Sequence, residues 1–190
     1  MTDPDPNLLR IMVIGDVFAG SGLDAVRRSL PALREQYAPQ MVVVNAENSA
    51  AGSGTSAKQA KQLLDAGADV LTGGNHTLRQ TDLFQVLESD PRVLRPDNIA
   101  VRAPGKGMVI ADVVGGYSVA VINVMGAVFM DVAQSPFAVI DALVQRATRE
   151  TPYVLVDLHA EATSEKVAMG RHLDGKVTAV RATLLADMGA

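Results

Sequence analysis

The chain has 190 residues, which is enough for one α/β domain that buries most of its unfolded surface. Although 48% of the residues are hydrophobic, no apolar run reaches the roughly 18–20 residues that a membrane span needs. The net charge of −4 argues against broad nucleic-acid binding, and the absence of cysteine excludes disulfides and thiolate metal sites. Residues 1–7 do not resemble a secretory leader, so we expect a cytoplasmic protein.

The first half of the chain alternates strand and helix patterns, as expected for βαβ units around a mainly parallel sheet. Continuous aliphatic and β-branched runs predict strands over residues 9–14, 41–44 and 69–72. Apolar residues at helical spacing predict helices over residues 23–35, 56–66 and 82–88. Pro31 predicts a break or a new turn in the first helix, and Gly67 suits a left-handed cap after the second.

The second half of the chain follows a Pro-rich connection over residues 91–104. Residues 108–113 and 117–124 flank Gly115-Gly116, which predicts a β-hairpin and therefore antiparallel strands added to the parallel set. Further predicted elements are a helix from Ser135-Pro136 to Arg149, a strand over 153–158, a helix capped by Ser164 and ending at 173, and a strand over 177–180. No repeat, linker or low-complexity tract interrupts the pattern, so we predict a single α/β domain over residues 1–190.

Four short polar segments follow predicted strands, where the hydrophobic runs stop. They are Gly15-Asp16, residues 45–48, residues 73–76 and residues 157–161. The carboxyl ends of parallel strands share one edge of a sheet, and ligands bind in the crevice there. Asp, Glu, Asn and His are the hard oxygen and imidazole ligands that divalent metals take. The pattern therefore predicts a metal centre at the strand ends.

Each segment alone also has a simpler interpretation. Gly15-Asp16 is a common turn and helix cap, and Glu47-Asn48 could form a loop network. A lone histidine is more often a satisfied core or surface residue, as we interpret His172. The convergence of all four segments on one edge favours the metal centre over these separate explanations.

The residue types predict a different role for each residue at such a centre. Glu47 is placed to bridge two metal ions, which lower the pKa of a bound water and neutralise phosphoryl oxygens. Asn75 lends a neutral oxygen ligand, and His76 could donate a proton to a leaving alkoxide. A P-loop and a nucleophile elbow are absent, and the glycines of residues 15–22 are not in dinucleotide-binding register, which leaves a Rossmann-like site only weakly supported.

These motifs, in this order, resemble the YmdB-like branch of the calcineurin-type metallophosphoesterases. The resemblance runs from Ile11 to Val180 and rests on residues 14–17, 45–52, 74–77, 94–98, 104–107, 128–130, 156–166 and 173–175. It implies a four-layered α/β fold with a dinuclear iron or manganese centre. It also implies phosphodiesterase activity, including activity on 2′,3′-cyclic nucleotides.

The resemblance also assigns roles to individual residues. The positions that match metal-centre residues are Asp16, Glu47, Asn48, Asn75 and His159, and His76 matches the catalytic histidine. Asp157 and Glu161 flank His159; Asp157 can point to the same side as His159 or support a ligand from behind, and Glu161 is a candidate for such support. The expected partners are a small phosphodiester or cyclic nucleotide, RNA ends, and a second copy of the chain, with the hairpin and the Pro-rich approach as contact surfaces.

One segment departs from the family pattern. After the strand that matches residues 177–180, the family has a Gly-Thr-His-Thr-His segment whose two histidines each bind a metal. No histidine follows His172 here, and residues 183–189 instead resemble the strand that comes after that loop. Either the sequence omits residues of a longer active protein, or the chain lacks two ligands and is a catalytically impaired member that binds a nucleotide or protein partner.

Overall fold

The computed structural model describes residues 8–183, which form two β-sheets and the helices that cover them. The first sheet has the order β1-β2-β3, and all of its strands are parallel. Its strands are β1 (Ile11–Ile14), β2 (Met41–Asn45) and β3 (Val70–Thr72). Its helices are α1 (Ala19–Tyr37), α2 (Ala57–Asp65) and α3 (Leu83–Ser89), with a 3₁₀ turn at Thr77–Arg79.

The second sheet has the order β4-β5-β6-β7 and is mixed. Its strands are β4 (Met108–Val113), β5 (Tyr117–Met125), β6 (Tyr153–His159) and β7 (Ala179–Thr183). The predicted hairpin is confirmed, because β4 pairs with β5 in antiparallel orientation, whereas β5, β6 and β7 are parallel. The helices α4 (Pro136–Ala147) and α5 (Thr163–Leu173) belong to this half of the chain.

The two sheets pack face to face between two layers of helices. Along β2, Val42 and Val44 join the core beneath the first set of helices, while Met41 and Val43 join a central core. That central core also contains Val121 and other residues of the second sheet. Because successive strand side chains point to opposite faces, a strand that is buried on both faces contributes to two cores. The predicted α/β class is confirmed, with the strands divided between two sheets in a helix–sheet–sheet–helix arrangement.

Several predicted boundaries differ from the structure for local reasons. Pro31 lies inside α1, which continues through it. Ser135 lies at the N-cap position of α4, but its side chain makes no capping hydrogen bond. Ser164 lies inside α5, which begins at Thr163 with Ala162 at the N-cap position, so Ser164 does not cap that helix. Ser56 does cap α2, since its Oγ accepts a hydrogen bond from the Gln59 amide.

The closing strand begins later than predicted. The β-branched pair Val177-Thr178 suggests a strand, but β7 starts at Ala179. The Thr178 hydroxyl instead accepts a hydrogen bond from the Val154 amide at the start of β6. The resemblance of residues 183–189 to a later family strand falls almost wholly outside the described residues. Within residues 8–183, no helix combines the length and apolarity that a bilayer crossing requires.

Candidate metal centre

The amide of Asn48 joins three of the predicted site residues. Its Nδ2 donates hydrogen bonds to Asp16 Oδ2 at 2.7 Å and to Glu47 Oε1 at 3.1 Å. Its Oδ1 lies 2.6 Å from His76 Nδ1, and this distance fits a hydrogen bond in which Nδ1–H donates. The loops after β1, β2 and β3 therefore meet around one neutral side chain.

The second sheet reaches the same place through His159, the last residue of β6. His159 Nε2 lies 3.1 Å from Glu47 Oε1 and 3.1 Å from Asn75 Oδ1. Both His159 and Glu47 are fully buried. All six residues predicted for the metal centre and for catalysis thus belong to one connected cluster. The predicted common edge is formed by the ends of two facing sheets rather than by one sheet.

Burial and mutual contacts set the ionisation of the cluster. For Glu47, burial alone would raise the pKa, but the hydrogen bond and charge of His159, with the His76 amide, lower it overall. Burial raises the pKa of Asp16, against the effect of its hydrogen bond from Asn48. Burial also lowers the pKa of His76, although the charge of Glu47 opposes this shift. Glu47 therefore remains a carboxylate, the form that binds metals.

The donor set fits a cation in part. Neighbouring ligands of an octahedral ion at about 2.1 Å lie about 3 Å apart, close to the distances of Glu47 Oε1 and Asn75 Oδ1 from His159 Nε2. In addition, Asp16 Oδ1 is buried without a hydrogen-bond partner among the described residues. However, no three His, Cys, Asp or Glu side chains of residues 8–183 are grouped so as to hold an ion. A set of three ligands therefore requires an amide side chain, and Asn48 and Asn75 both lie against the carboxylates or the imidazole of the cluster.

The glycine before Asn75 is required by space. A Cβ atom at Gly74 would lie 2.0 Å from Glu47 Oε2 and 2.5 Å from His159 Cδ2. Real Cβ atoms do not approach other atoms so closely. Gly74 thus allows the backbone after β3 to lie directly against the carboxylate and the imidazole.

Sequence reasoning missed Asn123, which links the two sheets beneath the site. Its Oδ1 accepts a hydrogen bond from the Gly73 amide at 2.9 Å. Its Nδ2 lies 3.2 Å from the carbonyl oxygens of both Gly73 and Asp157, to which it donates. The available signal was a single amide within the apolar run of β5, because such a buried polar group needs partners.

Asp157 and Glu161 occupy different environments. Asp157 is fully buried and accepts hydrogen bonds from the Thr72 hydroxyl and from Arg181 Nη1, the latter at 2.9 Å. It therefore connects the end of β3 to β7. Glu161 is exposed, and its charge opposes the lowering of the pKa of Lys166 that burial causes. A supporting role for Glu161 at the metal centre stays a prediction.

Four α/β layers with acidic, amide and imidazole side chains at the strand ends define a class of layered proteins with a polar strand-end site. Within that class, the YmdB-like protein family matches residues 12–184. The chain belongs to this family, as its motifs predicted.

Several relatives share most of this chain. A 2′,3′-cyclic-nucleotide 2′-phosphodiesterase of Bacillus subtilis is 39% identical over 175 residues, covering 92% of this chain and 66% of the relative. A putative phosphatase/phosphodiesterase of Mycoplasma genitalium is 30% identical, covering 92% of this chain and 63% of the relative. The chain thus spans slightly less than two thirds of the length of these relatives.

Two solved structures have the same fold. The crystal structure of a hypothetical protein from Thermus thermophilus superimposes with a TM-score of 0.84 at 40% identity, covering 92% of this chain and 67% of that one. The crystal structure of a novel phosphatase from Mycoplasma pneumoniae gives a TM-score of 0.83 at 30% identity, covering 97% of this chain and 66% of that one.

Proposed function

We propose that this chain is a metal-dependent phosphodiesterase that hydrolyses phosphodiesters such as 2′,3′-cyclic nucleotides at a dinuclear centre. The observation that carries the proposal is the contact between Glu47 and His159 across the two sheets, with Asn75 at the same imidazole nitrogen. The name of the Bacillus subtilis relative supports the substrate class. Carboxylate, amide and imidazole ligands suit iron or manganese, which we propose as the ions.

The residues that would hold the ions are Asp16, Glu47, Asn48, Asn75 and His159. Bound ions would supply positive charge that activates water and neutralises the phosphoryl oxygens. Glu47 is central because its two oxygens lie toward different groups, Oε1 toward His159 and Oε2 toward the His76 amide. This division of contacts supports its proposed position between two ions.

We assign proton transfer to His76. Its Nδ1 is occupied by Asn48 Oδ1, which leaves Nε2 as the nitrogen that can meet a substrate oxygen. Burial lowers its pKa, so the neutral imidazole is favoured at pH 7. A phosphodiester beside the ring would raise that pKa through its negative charge, and the imidazolium could then protonate the leaving alkoxide.

A second candidate is a catalytically impaired member that binds a nucleotide or a protein partner in the same pocket. It is favoured by the incomplete grouping of His, Asp and Glu ligands in residues 8–183. A site with fewer carboxylate and imidazole ligands binds metal more weakly, because affinity depends on the number and type of ligands.

Metal analysis combined with an activity assay separates the two candidates. We expect about two ions per chain after loading with iron or manganese, and hydrolysis of 2′,3′-cyclic AMP and of an aryl phosphodiester. Glu47→Gln keeps the shape but removes the bridging charge, so it should lose both metal and activity. Glu150→Gln, an exposed substitution before the start of β6 and so at the end of that strand away from His159, is the matched control and should change neither. A metal-free, inactive chain that still binds nucleotide would favour the second candidate.

Self-association, action on RNA ends and cytoplasmic location stay predictions. Val114 in the hairpin turn and Val101 in the Pro-rich approach are 81% and 78% exposed, which suits the predicted contact surfaces. Light scattering on the protein as it elutes from a size-exclusion column measures the oligomeric state. A monomeric mass at micromolar concentration would contradict the prediction of a stable oligomer.

A further inference from the structure

An exposed aromatic side chain lies beside the candidate metal centre. Phe18 follows Asp16 by two residues and immediately precedes α1, and 47% of its surface is exposed. Val17 between them is buried in the core beneath the first set of helices, so the chain is anchored on the inside while Phe18 turns outward. A ring exposed to this extent does not gain the free energy of apolar burial, and a ligand that covers the ring would gain it.

The ring is seated on the loop that carries Asn48. A methyl group at Gly52 would lie 2.9 Å from Cζ and 3.0 Å from Cε2 of Phe18, so the far edge of the ring occupies the space beside the glycine. The Asn48 carbonyl accepts hydrogen bonds from the amides of Ala19, at 2.8 Å, and of Gly52, at 3.0 Å. Phe18 and its support are therefore fixed to Asn48, whose side chain holds Asp16 and His76.

The opposite side of this loop is also held. Arg79 Nη1 donates to the Ser53 hydroxyl at 2.7 Å, and Gln80 Nε2 donates to the Ser53 carbonyl at 3.0 Å. The segment with Gly52 and Ser53 is thus fixed between the ring and the turn after β3. A ring on such a support is pre-organised, so a ligand that packs on it loses little entropy through ordering.

We propose that Phe18 selects nucleotides over phosphates that lack a base, by stacking against the base of a nucleotide whose phosphate occupies the strand-end site. This inference rests on the proposed function for the position of the phosphate. The ribose phosphate is polar, whereas the base is the flat, apolar part of such a ligand that suits an aromatic face. Stacking is tolerant of sequence, so the platform should accept all four bases.

The test compares two phosphates that differ only in the base. The probes are adenosine 3′-monophosphate and 1-O-methylribose 3-phosphate, bound to the manganese-loaded full chain and measured by calorimetry. Phe18→Leu should weaken binding of the nucleotide by about 5- to 30-fold, which corresponds to typical base–aromatic stacking. It should leave binding of methylribose phosphate unchanged. Phe18→Trp keeps an aromatic face and should retain nucleotide affinity.

Tyr37 provides the matched control. It is 54% exposed and ends α1, a helix of 19 residues, so it lies about 28 Å from the end that begins beside Phe18. Tyr37→Leu should leave both affinities unchanged. Equal losses for both probes in Phe18→Leu, no loss for either, or no binding of either probe to the wild-type chain would overturn the proposal. Base-dependent binding without hydrolysis would contradict the proposed function alone, whereas hydrolysis without base dependence would contradict the stacking role alone.

Discussion

At the scale of single residues, the site requires a glycine at position 74 as well as its polar side chains. Gly74 has no left-handed backbone angle, so its lack of a side chain is required by space alone. Glu47 and His159 occupy the volume in which a Cβ would stand. The contact between Glu47 and His159 at the candidate metal centre therefore requires that residue 74 has no side chain.

Gly74→Ala should consequently damage the centre selectively. The added methyl group must displace Glu47 or His159, and overpacking of this kind costs about 1–3 kcal/mol of unfolding free energy. We expect a folded protein with reduced stability and lost metal retention, measured by urea unfolding and by metal analysis.

Gly170→Ala is the control for this substitution. Gly170 lies within α5, and a Cβ added there would meet no atom within 4 Å apart from its chain neighbours and the backbone of its own helix. Alanine there should stabilise the chain by about 0.5–1 kcal/mol and leave metal retention unchanged. Equal metal retention in Gly74→Ala and Gly170→Ala would show that the contact between Glu47 and His159 does not matter for metal binding.

The position of Glu47 and His159 at the ends of strands could be predicted from the sequence. Polar side chains that directly follow a buried hydrophobic run lie at the carboxyl end of that strand. The packing of one sheet on the other does not follow from the order of the strands. The contacts of Asn123 with Gly73 therefore could not be predicted, because they join residues 50 positions apart in different sheets.

At the scale of elements, Asn123 joins the end of β5 to the end of β3. It makes three hydrogen bonds while fully buried. Its removal would leave the Gly73 amide without this partner, whereas the Gly73 carbonyl would keep the hydrogen bond from Asn45 Nδ2. Since an unsatisfied buried group costs about 1–3 kcal/mol, Asn123→Leu should lower the unfolding free energy by about 1–3 kcal/mol. Chemical unfolding followed by circular dichroism measures this change.

Ser118→Ala, near the other end of β5, is the comparison. Ser118 Oγ donates to Asp112 Oδ1 in an exposed part of the hairpin, so water can replace this bond. We expect a change below about 0.5 kcal/mol. Similar losses in Ser118→Ala and Asn123→Leu would mean that the bridge between the sheets contributes no more than a surface hydrogen bond.

Some boundaries of strands could be predicted from local sequence signals and others could not. The hairpin around Gly115-Gly116 was predicted to within a residue, because turn glycines and alternating strands are local signals. The start of β7 was predicted too early, because Val177-Thr178 has high strand propensity while its position is decided by pairing with β6. Boundaries fixed by tertiary pairing are therefore less predictable than those fixed by turns.

At the scale of the whole molecule, metal binding should stabilise the fold. Ligands from both sheets would hold the ions, so binding requires the sheets to be docked. At an ion concentration of about 100 times the dissociation constant, linkage adds about 2.7 kcal/mol. For a chain of this size that corresponds to a rise in Tm of about 5–11 °C. Calorimetric scans with manganese or iron measure the rise.

The Glu47→Gln variant is the reference for that experiment. It lacks the carboxylate that contacts both His159 and the His76 amide, so its Tm should not respond to either ion. A rise of the same size in Glu47→Gln as in the wild-type chain would place the responsible ion elsewhere.

The order of the strands along the chain separates the two sheets completely. The strands of the first sheet all precede Gly73, and those of the second all follow Gly107, with Val101 exposed in the connection. Each sheet is thus formed by one uninterrupted stretch of sequence. A chain cut at Arg102 would yield two pieces that, within residues 8–183, share no strand pairing. Glu47 belongs to one piece and His159 to the other, so the centre would exist only while the pieces are assembled, and its occupancy would report on their reassociation.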